Sequence, residues 1–306
     1  MNERGGGWNI GRAAAIAVGA ASALAPVAAA AATASDLYYE RTVMVAADDR
    51  CALFAPSVGA ALAAAQAQAR GAALRSGVSD QNLAAVEARA RFKAGAAACQ
   101  SPDLTTAAAR VRTAFEGFAK ISRMTYPGDT ADWRADRTPG GAMATWRLSQ
   151  DVRFGWDRML FGIVGFGQAR PLLAVASFAD QAQPYAARLV IRDTTLTTGP
   201  FLNRTAADAR GRLPLASRLP PRGATRVFSA EARSPAGKDL RAADMSSAWG
   251  FRFPAGAADA LTGLDPRESV AVEFLFAGRN GDQVRTAYIE VGDFAAGRAF
   301  LKVPQR

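Results

Sequence analysis

Two cysteines, Cys51 and Cys99, stand inside a run of helical patterning over residues 37–123, and they limit the fold more than any other feature of the chain. The clearest period in that run lies at residues 104–123. Leu104, Ala108, Val111, Phe115, Phe118 and Ser122 recur at alternating spacings of four and three, one stripe on a helix. Ser101-Pro102-Asp103 marks its start with a capping hydroxyl, a first-turn proline and an acid at the positive end of the helix dipole. A preceding helix is expected over 80–98, capped by Ser79 or Asp80, with Leu83, Val86 and Ala90 facing inward. Residues 56–74 are almost pure helix formers. The first segment, 37–54, suits a helix, although Val43 and Val45 also suit a strand, and Pro56 separates it from the second. In an up-down-up-down arrangement the ends of the first and third helices meet. The spacing therefore predicts a Cys51–Cys99 disulfide clamping one end of an antiparallel helical bundle.

The bridge requires an oxidising compartment, and residues 1–34 carry the matching address. Arg4 and Arg12 precede an apolar run over 13–25, and Ala32-Thr33-Ala34 offers a small-x-small cleavage site before Ser35. The reading is a cleavable signal peptide and a periplasmic or secreted protein with no transmembrane domain after cleavage. An uncut anchor over 13–34 is the competing reading, but that stretch is mostly alanine and weakly apolar.

After the helices, residues 125–144 hold Pro127-Gly128-Asp129 and Pro139-Gly140-Gly141, which reads as a linker. From 145 to 306 the period changes to two. Trp146, Leu148, Val152, Phe154 and Trp156 alternate with Arg147, Ser149, Asp151, Arg153 and Asp157, and Gln150 is the one polar exception on the apolar side. Further strands are expected over 159–166, 172–178, 187–196, 226–233 and 248–253, with a short helix over 256–262. The last hairpin is the plainest: Val270, Val272, Phe274 and Phe276 face one way, Arg279-Asn280-Gly281-Asp282 turns, and 284–291 returns. Asp293 is expected to cap a short terminal helix. The expected fold class is α+β: the helical bundle over 35–124, then an antiparallel β-sandwich or partly open barrel.

The tail over 260–301 combines a short helix, the strand Val270-Ala271-Val272-Glu273-Phe274, a glycine turn, a second strand and Gly292-Asp293-Phe294-Ala295-Ala296. It resembles the end of the invasion-associated locus B type of exported β-sandwich proteins. The resemblance implies an exported, non-enzymatic sandwich. It covers about 40 residues; the chain departs from the pattern in having no cysteine in its β part and a helical region with no counterpart there.

Several chemistries are excluded by composition. The chain has no histidine, so Ser-His-Asp and Cys-His catalysis and histidine-ligated metals are impossible, and two bridged cysteines supply neither a thiolate nor a metal site. No nucleophile elbow or phosphate-binding loop is present. Gly165-Phe166-Gly167-Gln168-Ala169-Arg170 lacks the third glycine of a dinucleotide loop and reads as a turn between strands. Ser234 and Lys238 read as a solvated loop. Asp129, Asp132 and Asp136 read as a surface segment neutralised by Arg134 and Arg137, beside Trp133. No cofactor and no metal is expected.

Charge directs attention to one segment. The chain carries 37 Lys and Arg against 27 Asp and Glu, a formal net charge of +10, and all but Lys93, Lys120, Lys238 and Lys302 of the basic residues are arginine. Such a surface favours anions, and export argues against nucleic acid as the partner. Residues 197–225 form a long proline-bearing connection with Arg204, Arg210, Arg212, Arg218 and Arg222 against the single acid Asp208. Arginine suits bidentate capture of phosphate or carboxylate, so these five are the candidate anion-binding residues. Trp133 and Trp156 are alternative sugar platforms, although Trp156 falls on the apolar face of its strand and reads as core. The function expected is an exported, non-enzymatic protein binding a partner or an anionic envelope component. The alternatives are a carboxylate-dependent hydrolase of envelope polysaccharide and a scaffold in an envelope complex.

Overall fold

A computed structural model describes residues 33–139, 143–165 and 169–304. The expected signal segment lies outside these residues except for Thr33 and Ala34, as do residues 140–142 and 166–168 of the two glycine-containing turns.

Four helices come first: α1 Ala34–Cys51, α2 Pro56–Arg75, α3 Asp80–Ala96 and α4 Pro102–Lys120. Each start has a local cause. Thr33 and Asp36 form a capping box on α1, Ser79 caps α3, Ser101 caps α4, and Pro56 and Pro102 occupy first turns. The Cys51–Cys99 bond is present, with Cα atoms 5.6 Å apart. Arg50 reinforces that end by donating to the carbonyls of Gly95, at 3.3 Å, and Ala97 at the close of α3. The inward stripes meet in two clusters: Tyr38, Ala73, Leu74 and Leu83, and then Met44, Leu62, Ala94 and Leu104.

The remainder is β1 Arg123–Tyr126, β2 Trp133–Asp136, β3 Thr145–Phe154, β4 Asp157–Gly165, β5 Leu172–Ser177, β6 Ala186–Arg192, β7 Thr225–Ser229, β8 Ala232–Pro235, β9 Trp249–Phe253, α5 Ala255–Thr262, β10 Ser269–Phe276, β11 Gln283–Glu290 and α6 Phe294–Phe300. The chain is therefore mixed α+β. Its strands form a seven-stranded sheet in the order β1-β2-β3-β4-β5-β9-β8 and a four-stranded sheet in the order β11-β10-β6-β7. All the pairings are antiparallel. The apolar faces share one core, in which Phe274 of the smaller sheet lies 5.9 Å from Phe154 and 5.5 Å from Phe251 of the larger.

Several expectations differ from what is found. The segment expected as a linker, 125–144, contributes half of β1 and all of β2 to the larger sheet, and Trp133 is fully buried with Phe294 at 5.0 Å. That burial removes Trp133 as a sugar platform. Trp156 is 94% exposed, against the expectation of core. The chain reverses at Gly155-Trp156, so the alternation ends at Phe154. The single strand expected over 226–233 is two strands in different sheets. The Ala230 amide donates to Ala187 of the smaller sheet and the next amide, Glu231, to Arg252 of the larger. Ser234 belongs to β8 and not to a loop. Asp293 stands at the start of α6 but makes no side-chain capping bond; its carboxylate is held by Arg75 of α2.

Candidate functional site

The connection over 197–225 has no sheet of its own, so its backbone is held by side chains from elsewhere. Glu268, completely buried, accepts from the Phe201 amide at 3.4 Å, and the Ser269 hydroxyl donates to the Leu215 carbonyl at 2.6 Å. Arg192 in β6 forms a buried pair with Glu268, with bonds of 2.5 and 3.1 Å. Burial raises the Glu268 pKa above the ordinary carboxylate range, and the Arg192 bonds oppose that shift without cancelling it. Asp208 shapes the outer turn by accepting from the Arg210 and Arg212 amides at 2.9 and 2.8 Å and from Arg212 Nε at 3.0 Å. Those bonds, the Arg212 amide first, hold its carboxyl below the usual range.

The loop walls one side of a cleft of about 920 Å³. Arg204, Arg212 and Arg218 come from the loop, Arg75 from the last turn of α2, and Arg267 from the turn before β10. Asp129 and Thr130 supply another part of the lining, and Leu202, Leu213, Pro214 and Leu215 the apolar part. The 128–131 loop is fixed from below, where the buried Glu290 carboxylate accepts from the amides of Asp129 (2.8 Å), Thr130 (2.7 Å) and Ala131 (3.3 Å). Gln150, the polar residue on the apolar face of β3, exchanges bonds with the Glu290 backbone at 3.0 and 3.3 Å. The polar exception in the strand pattern is thus part of the cleft's support.

Four of the five lining arginines are oriented by carboxylates. Arg75 makes a bidentate pair with Asp293 at 2.6 and 2.9 Å. Burial opposes the charge of Arg75, and the bonds and charge of Asp293 outweigh burial, so its pKa lies above the ordinary value. Arg218, only 6% exposed, donates to Asp129 at 3.1 Å and to the Leu213 carbonyl at 3.0 Å. Arg267 is held by Asp265 at 2.7 and 2.9 Å, with Asp80 4.0 Å away. Arg212 is held by Asp208. Arg204 has no acidic partner among the described residues. A guanidinium presents five N–H donors, so each oriented fork keeps donors for a ligand.

Of the candidate arginines, the cleft gathers Arg204, Arg212 and Arg218. Arg210 lies on the exposed outer turn and does not line it, and Arg222 pairs with Glu273 of β10 at 2.7 Å. Sequence reasoning missed Arg75 and Arg267. The first reads as an ordinary cation in the last turn of a helix, and the second lies in the Asp265-Pro266-Arg267-Glu268 turn with no periodic signal. The arrangement is poorly matched to carboxylate acid/base work. Both lining acids are engaged by arginines, and Asp208 is shifted away from the direction a general acid needs.

Comparison with protein families, with characterised proteins and with solved structures finds no match for this chain.

Proposed function

We infer that this is an exported, periplasmic protein without enzymatic activity, which binds an anionic component of the cell envelope in the arginine-lined cleft. The observation that carries the reading is the convergence of Arg75, Arg204, Arg212, Arg218 and Arg267 from three separate parts of the chain on one concavity. Its volume is in the range of small-molecule sites. The export reading draws on the signal-like segment and agrees with the Cys51–Cys99 disulfide; no helix among the described residues is long and apolar enough to cross a membrane. In this reading the helices form an antiparallel bundle and the two sheets a sandwich, and the cleft opens where the end of α2 meets the sheet-borne loops. The tail's resemblance to invasion-associated locus B type proteins points to the same exported, non-enzymatic class.

The test is calorimetric titration with glycerol 3-phosphate, a small soluble envelope headgroup, with glycerol as the neutral control. Saturable binding with a Kd on the order of 1 mM is expected for the unaltered protein. Arg204→Ser weakens it at least threefold, Arg204→Ser with Arg218→Ser weakens it tenfold or more, and Arg222→Ser leaves it unchanged. Absence of saturable binding, or equal binding by the double variant, contradicts the reading.

A further inference from the structure

We propose that the cleft selects an amphiphilic anion of low charge, one oxyanion head on a short apolar chain, and rejects polyanions. This deepens the function just described and rests on it. The first argument is local charge. The chain as a whole carries a net +10, which would draw polyanions to its surface. Inside the cleft that excess is almost absent. Arg75, Arg212, Arg218 and Arg267 are each matched by Asp293, Asp208, Asp129 and Asp265, and Asp80 stands 4.0 Å from Arg267. Arg204 is left as the cation without an acidic partner among the described residues.

Such a site offers many N–H donors and little net charge. A single phosphate or carboxylate head can take donors from Arg218 and Arg204 without displacing the acids that orient the other forks. Each further charge on a polymer instead meets Asp129 or Asp208 at the cleft surface, and like charges brought together cost affinity. The second argument is the apolar part of the lining. Leu202, Leu213 and Leu215 are half-buried beside the guanidinium groups, and Pro214 is exposed between two of them. A chain lying on these side chains removes apolar surface from water, at about 0.8 kcal/mol per methylene buried. Four buried methylenes correspond to an affinity gain on the order of 100-fold.

The test compares four probes on the full protein by calorimetry: glycerol 3-phosphate, decyl phosphate and decanoate below their micelle concentrations, and long-chain polyphosphate. Decyl phosphate or decanoate is expected to bind at least 30-fold more tightly than glycerol 3-phosphate. The tighter of the two identifies the head as that of a lipid phosphate or of a fatty acid. Polyphosphate is expected not to displace the bound amphiphile. Leu213→Ser is expected to lower amphiphile affinity about tenfold, a loss at least threefold greater than any it causes for glycerol 3-phosphate. If the chain gives no gain, or polyphosphate displaces the amphiphile, the selectivity is overturned while anion binding in the cleft stands. If none of the four binds, the cleft is not an anion site and both readings fall.

Discussion

At the scale of single residues, several groups take their role from distant partners. Gly71 is the clearest. It lies in the interior of α2, where glycine costs about 1 kcal/mol relative to alanine. A Cβ there would stand 2.5 Å from Asp293 Oδ1 and 3.4 Å from Arg75 Nη1, so the bare backbone leaves room for the ion pair at the base of the cleft. Gly128 leaves room for the tight 128–131 loop, where a Cβ would meet the Ala131 carbonyl at 2.1 Å and Glu290 Oε2 at 2.9 Å. Helix propensity alone predicts that Gly71→Ala stabilises the protein by about 1 kcal/mol. The structure predicts the opposite sign, a loss of about 2 kcal/mol in urea unfolding, because a largely buried charge pair is pushed apart. A stabilised variant would show that the Arg75–Asp293 contact is not held closed by the missing side chain. None of these roles was legible from sequence, since Asp293 reads as a helix cap and Gly71 lies in a segment that reads as almost pure helix formers. The exposed Trp156 was missed for a nearer reason. Gly155, at φ +60, makes a two-residue hairpin loop that interrupts an otherwise regular alternation.

At the scale of elements, the parts with strong local causes were readable. Capping serines, first-turn prolines and the stripe of α4 place all four helices to within a few residues, and the β10–β11 hairpin follows from its alternation and its Asn280-Gly281 turn. The elements that were misread lacked a local breaker. Residues 226–233 hold no glycine or proline, so nothing in them marks the point where the chain leaves one sheet for the other. The β1–β2 pair was hidden by flanking turn residues, although Trp133 and Ala135 alternate with Arg134 and Asp136 as a half-buried strand should. The disulfide belongs to this scale too, because it ties the end of α1 to the segment leading into α4. Its loop spans 48 residues, and the chain-entropy estimate gives about 4 kcal/mol of stabilisation. Cys51→Ser with Cys99→Ser should lose close to that amount in denaturant unfolding while keeping its strand signal by circular dichroism. A loss below about 1 kcal/mol would mean that the helices are held without the bridge.

At the scale of the whole molecule, the described residues belong to one compact unit, and α2 is the element that joins its parts. One face of α2 packs among the helices through Leu62 and Leu74, Ala64 reaches the core shared by the sheets, and Arg75 ends at the cleft. Composition drew attention to arginine in a single loop, 197–225. The cleft instead draws on residues 75, 129, 204–218 and 267, a gathering that no one-dimensional pattern encodes. The net charge is misleading for a related reason, since pairing cancels inside the cleft what the whole chain shows in excess. The central claim is that this cleft holds an oxyanion head against Arg218 and Arg204 with its chain along Leu213 and Leu215. The most direct measurement is a crystal structure of the protein grown with decyl phosphate. Phosphate oxygens are expected within about 3.2 Å of the Arg218 and Arg204 guanidinium nitrogens. A fully occupied amphiphile bound elsewhere, with the cleft holding only solvent, would contradict it.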